Sequence, residues 1–118
     1  MSADAVARLD PGELPGPLGE SATLVQFSST FCAPCRVTRQ ILDRVVATTA
    51  GVAHVELDIA DHHALGERLG ILVTPTVIIL DADGVERRRA EGAPTLAQAR
   101  AALASVAGTS RPPDTAPI

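Results

Sequence analysis

A short apolar run, Thr23 to Ser28, ends four residues before the pair Cys32-Ala33-Pro34-Cys35, and a helical period takes over directly after it. Val37, Ile41 and Val45 recur at four-residue spacing, and Leu42 and Val46 widen that stripe, so Arg36 to Ala50 is expected to be a helix ended by Gly51. A buried strand feeding an amphipathic helix, with two cysteines at the joint, leaves few folds open. The joint belongs in an α/β layer, because such a strand needs cover on both faces.

The rest of the chain repeats the alternation. Val6 to Leu9 is expected to be a short first strand, and Asp10 to Gly19, with Pro11, Pro15, Pro17 and three glycines, a loop. From Val52 to Ile59 the pattern has period two: Val55, Leu57 and Ile59 face one way, and His54, Glu56 and Asp58 the other. Asp61 to Leu69 reads as a short helix with Asp61 as N-cap and Gly70 as its stop. Thr76 to Leu80 is a second apolar strand, turned by Asp81-Ala82-Asp83-Gly84 into a returning strand, Val85 to Ala90. Thr95 caps a last helix whose face is Leu96, Ala99, Leu103 and Val106. The expected order is β, loop, β, α, β, α, β, β, α: a mixed sheet covered on both faces. It forms one domain over residues 1–107, followed by a disordered tail, 108–118, that carries Pro112, Pro113 and Pro117.

Composition removes several functions. At 46% hydrophobic and 20% charged, the 118-residue chain is too apolar to be disordered throughout. Its net charge of −4 argues against a nucleic-acid partner. All 10 basic residues are Arg, so Schiff-base chemistry and lysine-centred phosphate loops are excluded. Phe27 and Phe31 are its only aromatic residues, too few for a base-stacking platform. Two cysteines cannot make a four-thiolate zinc site, an iron–sulfur cluster or a multi-disulfide scaffold. Met1 to Gly19 lacks the basic head and apolar run of a signal peptide, and no apolar stretch is long enough to span a bilayer. The expectation is a cytoplasmic protein with no membrane partner, no metal and no cofactor.

The cysteines carry the chemistry. A helix N-terminus presents unpaired N–H groups and about half a positive charge, which favours a thiolate over a thiol. Pro34 fits the first turn, where a missing N–H costs nothing. Cys35, one turn inward, can reach back to Cys32 and close a disulfide. Cys32 is therefore the expected nucleophile on a partner's disulfide, and Cys35 the residue that resolves the mixed disulfide. Against this stands a pair of structural cysteines, or half of a metal site.

The segment Phe27-Ser28-Ser29-Thr30-Phe31-Cys32-Ala33-Pro34-Cys35-Arg36 resembles the active-site segment of thioredoxins. Gly70-Ile71-Leu72-Val73-Thr74-Pro75-Thr76 is similar to their second signature, Asp83-Gly84 to their hairpin turn, and Gly92-Ala93 to their small-residue loop. The similarity runs from about Leu24 to Val106. It implies a thioredoxin fold, a central mixed β-sheet flanked by helices on both faces. It also implies a cis bond before Pro75, with Thr74-Pro75 packed against the thiols and the Thr74 backbone binding an extended substrate segment. Phe31, Ala33, Pro34, Val73, Thr74, Pro75 and Gly92 would then line the substrate site. The implied activity is a monomeric protein-disulfide reductase recharged by an NADPH-dependent thioredoxin reductase.

Three positions depart from the family pattern. Phe31 and Ala33 stand where thioredoxins carry Trp and Gly, and Gln26 stands where they bury an Asp beneath the thiols. Gln cannot take a proton as a general base. Glu56, whose counterpart in the family points towards that Asp, is the candidate proton acceptor for Cys35 in its place. Arg36 and Arg39 follow the thiols and are expected to be solvated helix residues, the other reading being that Arg36 aids the thiolate or meets an acidic partner. Arg87-Arg88-Arg89 is expected to be a solvated strand edge that discourages edge pairing. Adjacent His62 and His63 point apart and make a poor metal site. The other reading of the whole is a thioredoxin-fold binding module with weak or no redox turnover, which these departures would suit.

Overall fold

The computed structural model describes residues 7–106 and 116–117. Five strands, β1 (Ala22–Ser28), β2 (Val52–Asp58), β3 (Thr76–Asp81), β4 (Glu86–Glu91) and β5 (Ala116–Pro117), form one sheet in the order β2-β1-β3-β4-β5. β2 runs parallel to β1, β3 antiparallel to it, and β4 returns antiparallel to β3. Three helices, α1 (Ala33–Ala47), α2 (His63–Arg68) and α3 (Leu96–Val106), complete the expected α/β arrangement.

The sheet divides two cores, and strand parity decides which side chain enters which. Ala22, Leu24, Val77 and Ile79 face α1 and α3, where Leu42, Val45, Leu103 and Val106 meet them. Val25, Phe27, Leu57, Ile78 and Leu80 face the other way and are covered by Leu9, Leu14 and Leu69. All seven residues of β1 are buried, as a central strand requires. Parity puts Gln26 on the α1 side of β1, fully buried beneath the helix mouth. Its Cα lies opposite Glu56 of β2 and Val77 of β3.

Several expected boundaries move. α1 begins at Ala33 rather than Arg36, because Cys32 caps it and Pro34 suits its first turn. It ends at Ala47 rather than Ala50, where the Thr48 hydroxyl donates back to the carbonyls of Arg44 and Val45. Its buried face is Cys35, Thr38, Leu42 and Val45; Val37, expected in the stripe, is half exposed. α2 begins at His63, since Asp61 is held in a turn by its N–H to the Asp58 carbonyl. Of the expected first strand, Val6 lies outside the described residues, and Arg8 makes a single bridge to Val85 before Pro11 opens a short 3-10 turn. Leu9 is hung there by its N–H on the Gly84 carbonyl, 2.9 Å. Gly84 is at φ +84°, and a Cβ on it would stand 2.2 Å from the Leu9 carbonyl oxygen, so no other residue fits this crossing.

The three arginines of β4 are not a solvated edge. Arg87 pairs with Asp81 at 2.7 Å, Arg88 donates to Ser105 of α3, and Arg89 pairs with Glu86 while reaching the Leu69 carbonyl at 2.7 Å. Their neighbours are acceptors from both layers, so the guanidiniums pin α2 and α3 to the strand. Of the tail expected to be disordered, all but 116–117 lies outside the described residues; Ala116 and Pro117 run parallel to Arg88 and Arg89.

Candidate active site

The site is built at the end of β1 that delivers the chain to α1. Cys32 and Cys35 are joined in a disulfide, S–S 2.20 Å with their Cα atoms 5.2 Å apart. Cys32 is the N-cap residue of α1, and the Cys35 N–H donates to its Sγ at 3.2 Å. Cys32 is partly exposed, whereas Cys35 is 1% exposed. One sulfur is thus reachable and the other shielded. When the pair is reduced, the helix N-terminus and the Cys35 N–H favour negative charge on Cys32.

Phe31 precedes the pair at φ +58°, in the left-handed region, with its ring 97% exposed. An apolar ring held fully in water by a backbone conformation that Phe seldom adopts has no folding rationale. Leu72 and Val73 are exposed large apolar side chains as well. The peptide bond between Thr74 and Pro75 is cis. The Thr74 hydroxyl lies 2.8 Å from that of Ser29, which ties the cis-proline loop to the segment leading into Cys32. Gly92, at φ +94°, donates its N–H to the Pro75 carbonyl at 2.8 Å. Ala33 and Pro34 are exposed on the first turn of α1.

On the other flank of the disulfide, a groove of about 450 Å³ runs past Cys32 and Cys35 to Arg36, Arg39, Glu56 and Asp58. Glu56 is partly buried there and accepts from Arg39 Nε at 2.5 Å, from Arg39 Nη2 at 2.9 Å and from the Ser28 hydroxyl at 2.7 Å. The Arg39 hydrogen bond, more than burial opposes it, holds the Glu56 carboxyl below its ordinary range. Glu56 thus lies beside Gln26, with its ionised form favoured. That makes it a weak base.

Gln26 links this cluster to the helix. Its Nε2 donates to the Cys35 carbonyl at 2.8 Å and to the Ser28 hydroxyl at 3.0 Å, and lies 3.4 Å from Glu56 Oε2. Its Oε1 faces His54 Nε2 at 3.1 Å, and His54 Nδ1 faces Asp43 of α1 at 2.9 Å. Ser28, Asp43 and His54 are not singled out by the sequence, and Arg39, expected to be a solvated helix residue, is instead paired with Glu56. The signal was there: Arg39 and Asp43 are one helical turn apart, His54 and Glu56 share one strand face, and both steps advance about 6 Å. Among the described residues no cluster of three or more His, Cys, Asp or Glu could hold a metal, and no helix is long and apolar enough to cross a membrane.

The thioredoxin family model matches residues 18–105. A thioredoxin of Chlamydia caviae is 32% identical over 69 residues, 58% of this chain and 67% of that protein. The NADPH-dependent thioredoxin reductase 3 of Arabidopsis thaliana is 40% identical over 55 residues, 46% of this chain but only 10% of that protein. In fold, a mutant thioredoxin from Halobacterium salinarum superposes with a TM-score of 0.70 at 18% identity, over 78% of this chain and 80% of that one. These matches agree with the bonded pair at the helix mouth, and they favour redox turnover over a binding module. The chain belongs to the thioredoxin family, and it is a thiol–disulfide oxidoreductase of that type.

Proposed function

We propose that the protein reduces disulfides in other proteins, with Cys32 as nucleophile and Cys35 as resolving residue. The observation that carries this reading is the asymmetry of the pair: Cys32 is partly exposed and accepts an N–H at the helix mouth, while Cys35 is buried. The Cys32 thiolate attacks one sulfur of the target disulfide and expels the other as a thiolate, which takes up a proton. Cys35 then loses its proton and attacks Cys32 Sγ. The second target thiolate leaves, and the Cys32–Cys35 disulfide closes. Two electrons pass from the dithiol to the target.

Phe31, Ala33, Pro34, Val73, Thr74, Pro75 and Gly92 form the proposed docking surface, with the Thr74 backbone pairing an extended substrate strand. The exposure of Phe31, Leu72 and Val73 supports it. Glu56 serves as an outlet for the Cys35 proton only weakly, given its clasp by Arg39. We further infer a monomeric single domain over 1–107, a cytoplasmic setting, no cofactor beyond the cysteine pair, and recharging by an NADPH-dependent reductase. The short match to a protein named for that activity supports the last point. Insulin-disulfide reduction, driven first by dithiothreitol and then by reductase with NADPH, tests the proposal. Cys32→Ser is expected to abolish turnover, and Cys35→Ser to trap a covalent mixed disulfide. Turnover surviving Cys32→Ser would overturn the assignment.

A further inference from the structure

Behind the disulfide, a chain of contacts leads from the surface of α1 to the backbone of Cys35, and its donors and acceptors can be assigned by elimination. The Cys35 carbonyl can only accept, so the Gln26 atom 2.8 Å from it is the amide nitrogen. Gln26 Oε1 then faces His54, and the His54 nitrogen 3.1 Å away must carry a proton. The other ring nitrogen lies 2.9 Å from Asp43 Oδ1, an exposed carboxylate that also accepts. Both contacts are satisfied together only when the ring holds two protons. The ring side chain is 8% exposed and Gln26 is fully buried, so water does not readily come between these two, whereas Asp43 lies in solvent.

We infer that His54 is a positioning residue for the exchange, its doubly protonated ring bridging Asp43 and Gln26 and so holding the amide that grips the Cys35 carbonyl. The inference rests on the proposed role of Cys35 as resolving residue. When the ring gives up one proton, one of its two contacts must fail. A bond to a carboxylate is about twice as strong as one to a neutral amide. The remaining proton therefore stays on Nδ1, facing Asp43, and the bare Nε2 is left against Gln26 Oε1. Gln26 cannot turn over to suit it without presenting its oxygen to the Cys35 carbonyl. Other charged groups near the ring are Glu56 on the same strand, whose carboxyl responds to the His54 charge, and Arg39 of α1, which is paired with Glu56. The grip on Cys35 therefore depends on whether the ring carries its second proton.

Asp43→Asn separates this from a merely structural contact. An Asn amide can accept from a charged ring and donate to Nδ1 of a neutral one, so Nε2–H stays on Gln26 in both states. The first measurement is the NMR titration, from pH 5 to 8.5, of the His54 ring nitrogens and the Gln26 side-chain amide in the oxidised protein, which needs no turnover. In the native chain the Gln26 resonances are expected to follow the His54 titration, and in Asp43→Asn to stay put. The second is the rate at which Cys35 releases a thionitrobenzoate held on Cys32. The Asp43→Asn to native ratio is expected to be near one at pH 5.5 and about fivefold at pH 8, as expected for one lost hydrogen bond. Gln26 resonances indifferent to the His54 titration, or a rate ratio flat with pH, would overturn the inference. Turnover that survives Cys32→Ser, with the NMR coupling intact, would instead remove only the redox role.

Discussion

Gln26→Asp places an ionisable group where the chain now keeps a neutral one. Gln26 is fully buried and its amide nitrogen lies 3.4 Å from Glu56 Oε2. A carboxylate on the shorter side chain would sit about 5 Å from that of Glu56, and at an effective dielectric of about 20 their repulsion is about 3 kcal/mol. Arg39 and His54 offset part of this, burial adds to it, and a penalty of about 2–3 kcal/mol on the charged form remains. The introduced group therefore titrates above its unfolded value of about 3.9. A raised folded pKa places the variant's relative stability at its best below about pH 4. The deficit grows as pH rises through the folded value and levels off at about 2–3 kcal/mol by pH 7.5, a loss of about 10 °C in Tm. Urea unfolding of both chains at steps from pH 4 to 8, with the disulfide closed so that neither thiol titrates, reads this difference. A difference that does not change with pH would refute the reasoning and show Gln26 to lie in a solvated pocket. In the reduced protein the same carboxylate can accept the Cys35 proton, so release of a mixed disulfide near pH 7 is expected to accelerate.

Asp81 is pushed up by burial, but the N–H groups of Val85 and Asp83 and the Arg87 guanidinium together hold it below its ordinary value of 3.8. Its contribution is present above that value and lost as pH falls through the lower folded one. Asp81→Asn should cost about 1–3 kcal/mol at pH 7 in denaturant unfolding and much less near pH 3. Phe31→Gly relieves a left-handed backbone at the cost of chain entropy, terms of about 1 kcal/mol each. Stability is thus expected to stay within about 0.5 kcal/mol while KM for a protein disulfide rises several-fold in the insulin assay. Arg39→Gln removes the main hold on the Glu56 carboxyl, whose pKa should rise in a carboxylate NMR titration. The stability change should stay below about 1 kcal/mol, since Arg39 is 45% exposed.

How much of this was legible in the chain depends on whether a residue's role is local. The strands expected from Thr23, Val52, Thr76 and Val85, the hairpin turn and the Thr95 cap, with Thr95 and Gln98 exchanging side-chain-to-backbone bonds, follow from neighbours in sequence. They stand within a residue or so of where the pattern put them, whereas the strand expected over Val6 to Leu9 is reduced to one bridge. The cysteine joint is local too, because helix-mouth chemistry needs only a strand, a proline and a spacing. The stripe on α1 is displaced at its start: Cys35, Thr38, Leu42 and Val45, spaced three and four apart, share the inward face, which leaves Val37 half exposed. The Arg89–Leu69, Arg88–Ser105 and His54–Gln26 contacts were out of reach for another reason. Their partners lie 20, 17 and 28 positions away, and only the tertiary fold brings them together.

The strap before β1 sets a practical limit on dissecting this molecule. Leu9 is fully buried and Leu14 nearly so, and both lie ahead of residue 18, where the family match begins. A chain trimmed to that match would open the lower core at two leucine sites, each worth about 2–5 kcal/mol when emptied. It would also free the Gly84 carbonyl and the Glu86 N–H that the strap now engages. The smallest autonomous unit is thus longer at its front than likeness to relatives suggests, and any graft or fusion should keep the chain from Ala7 onward.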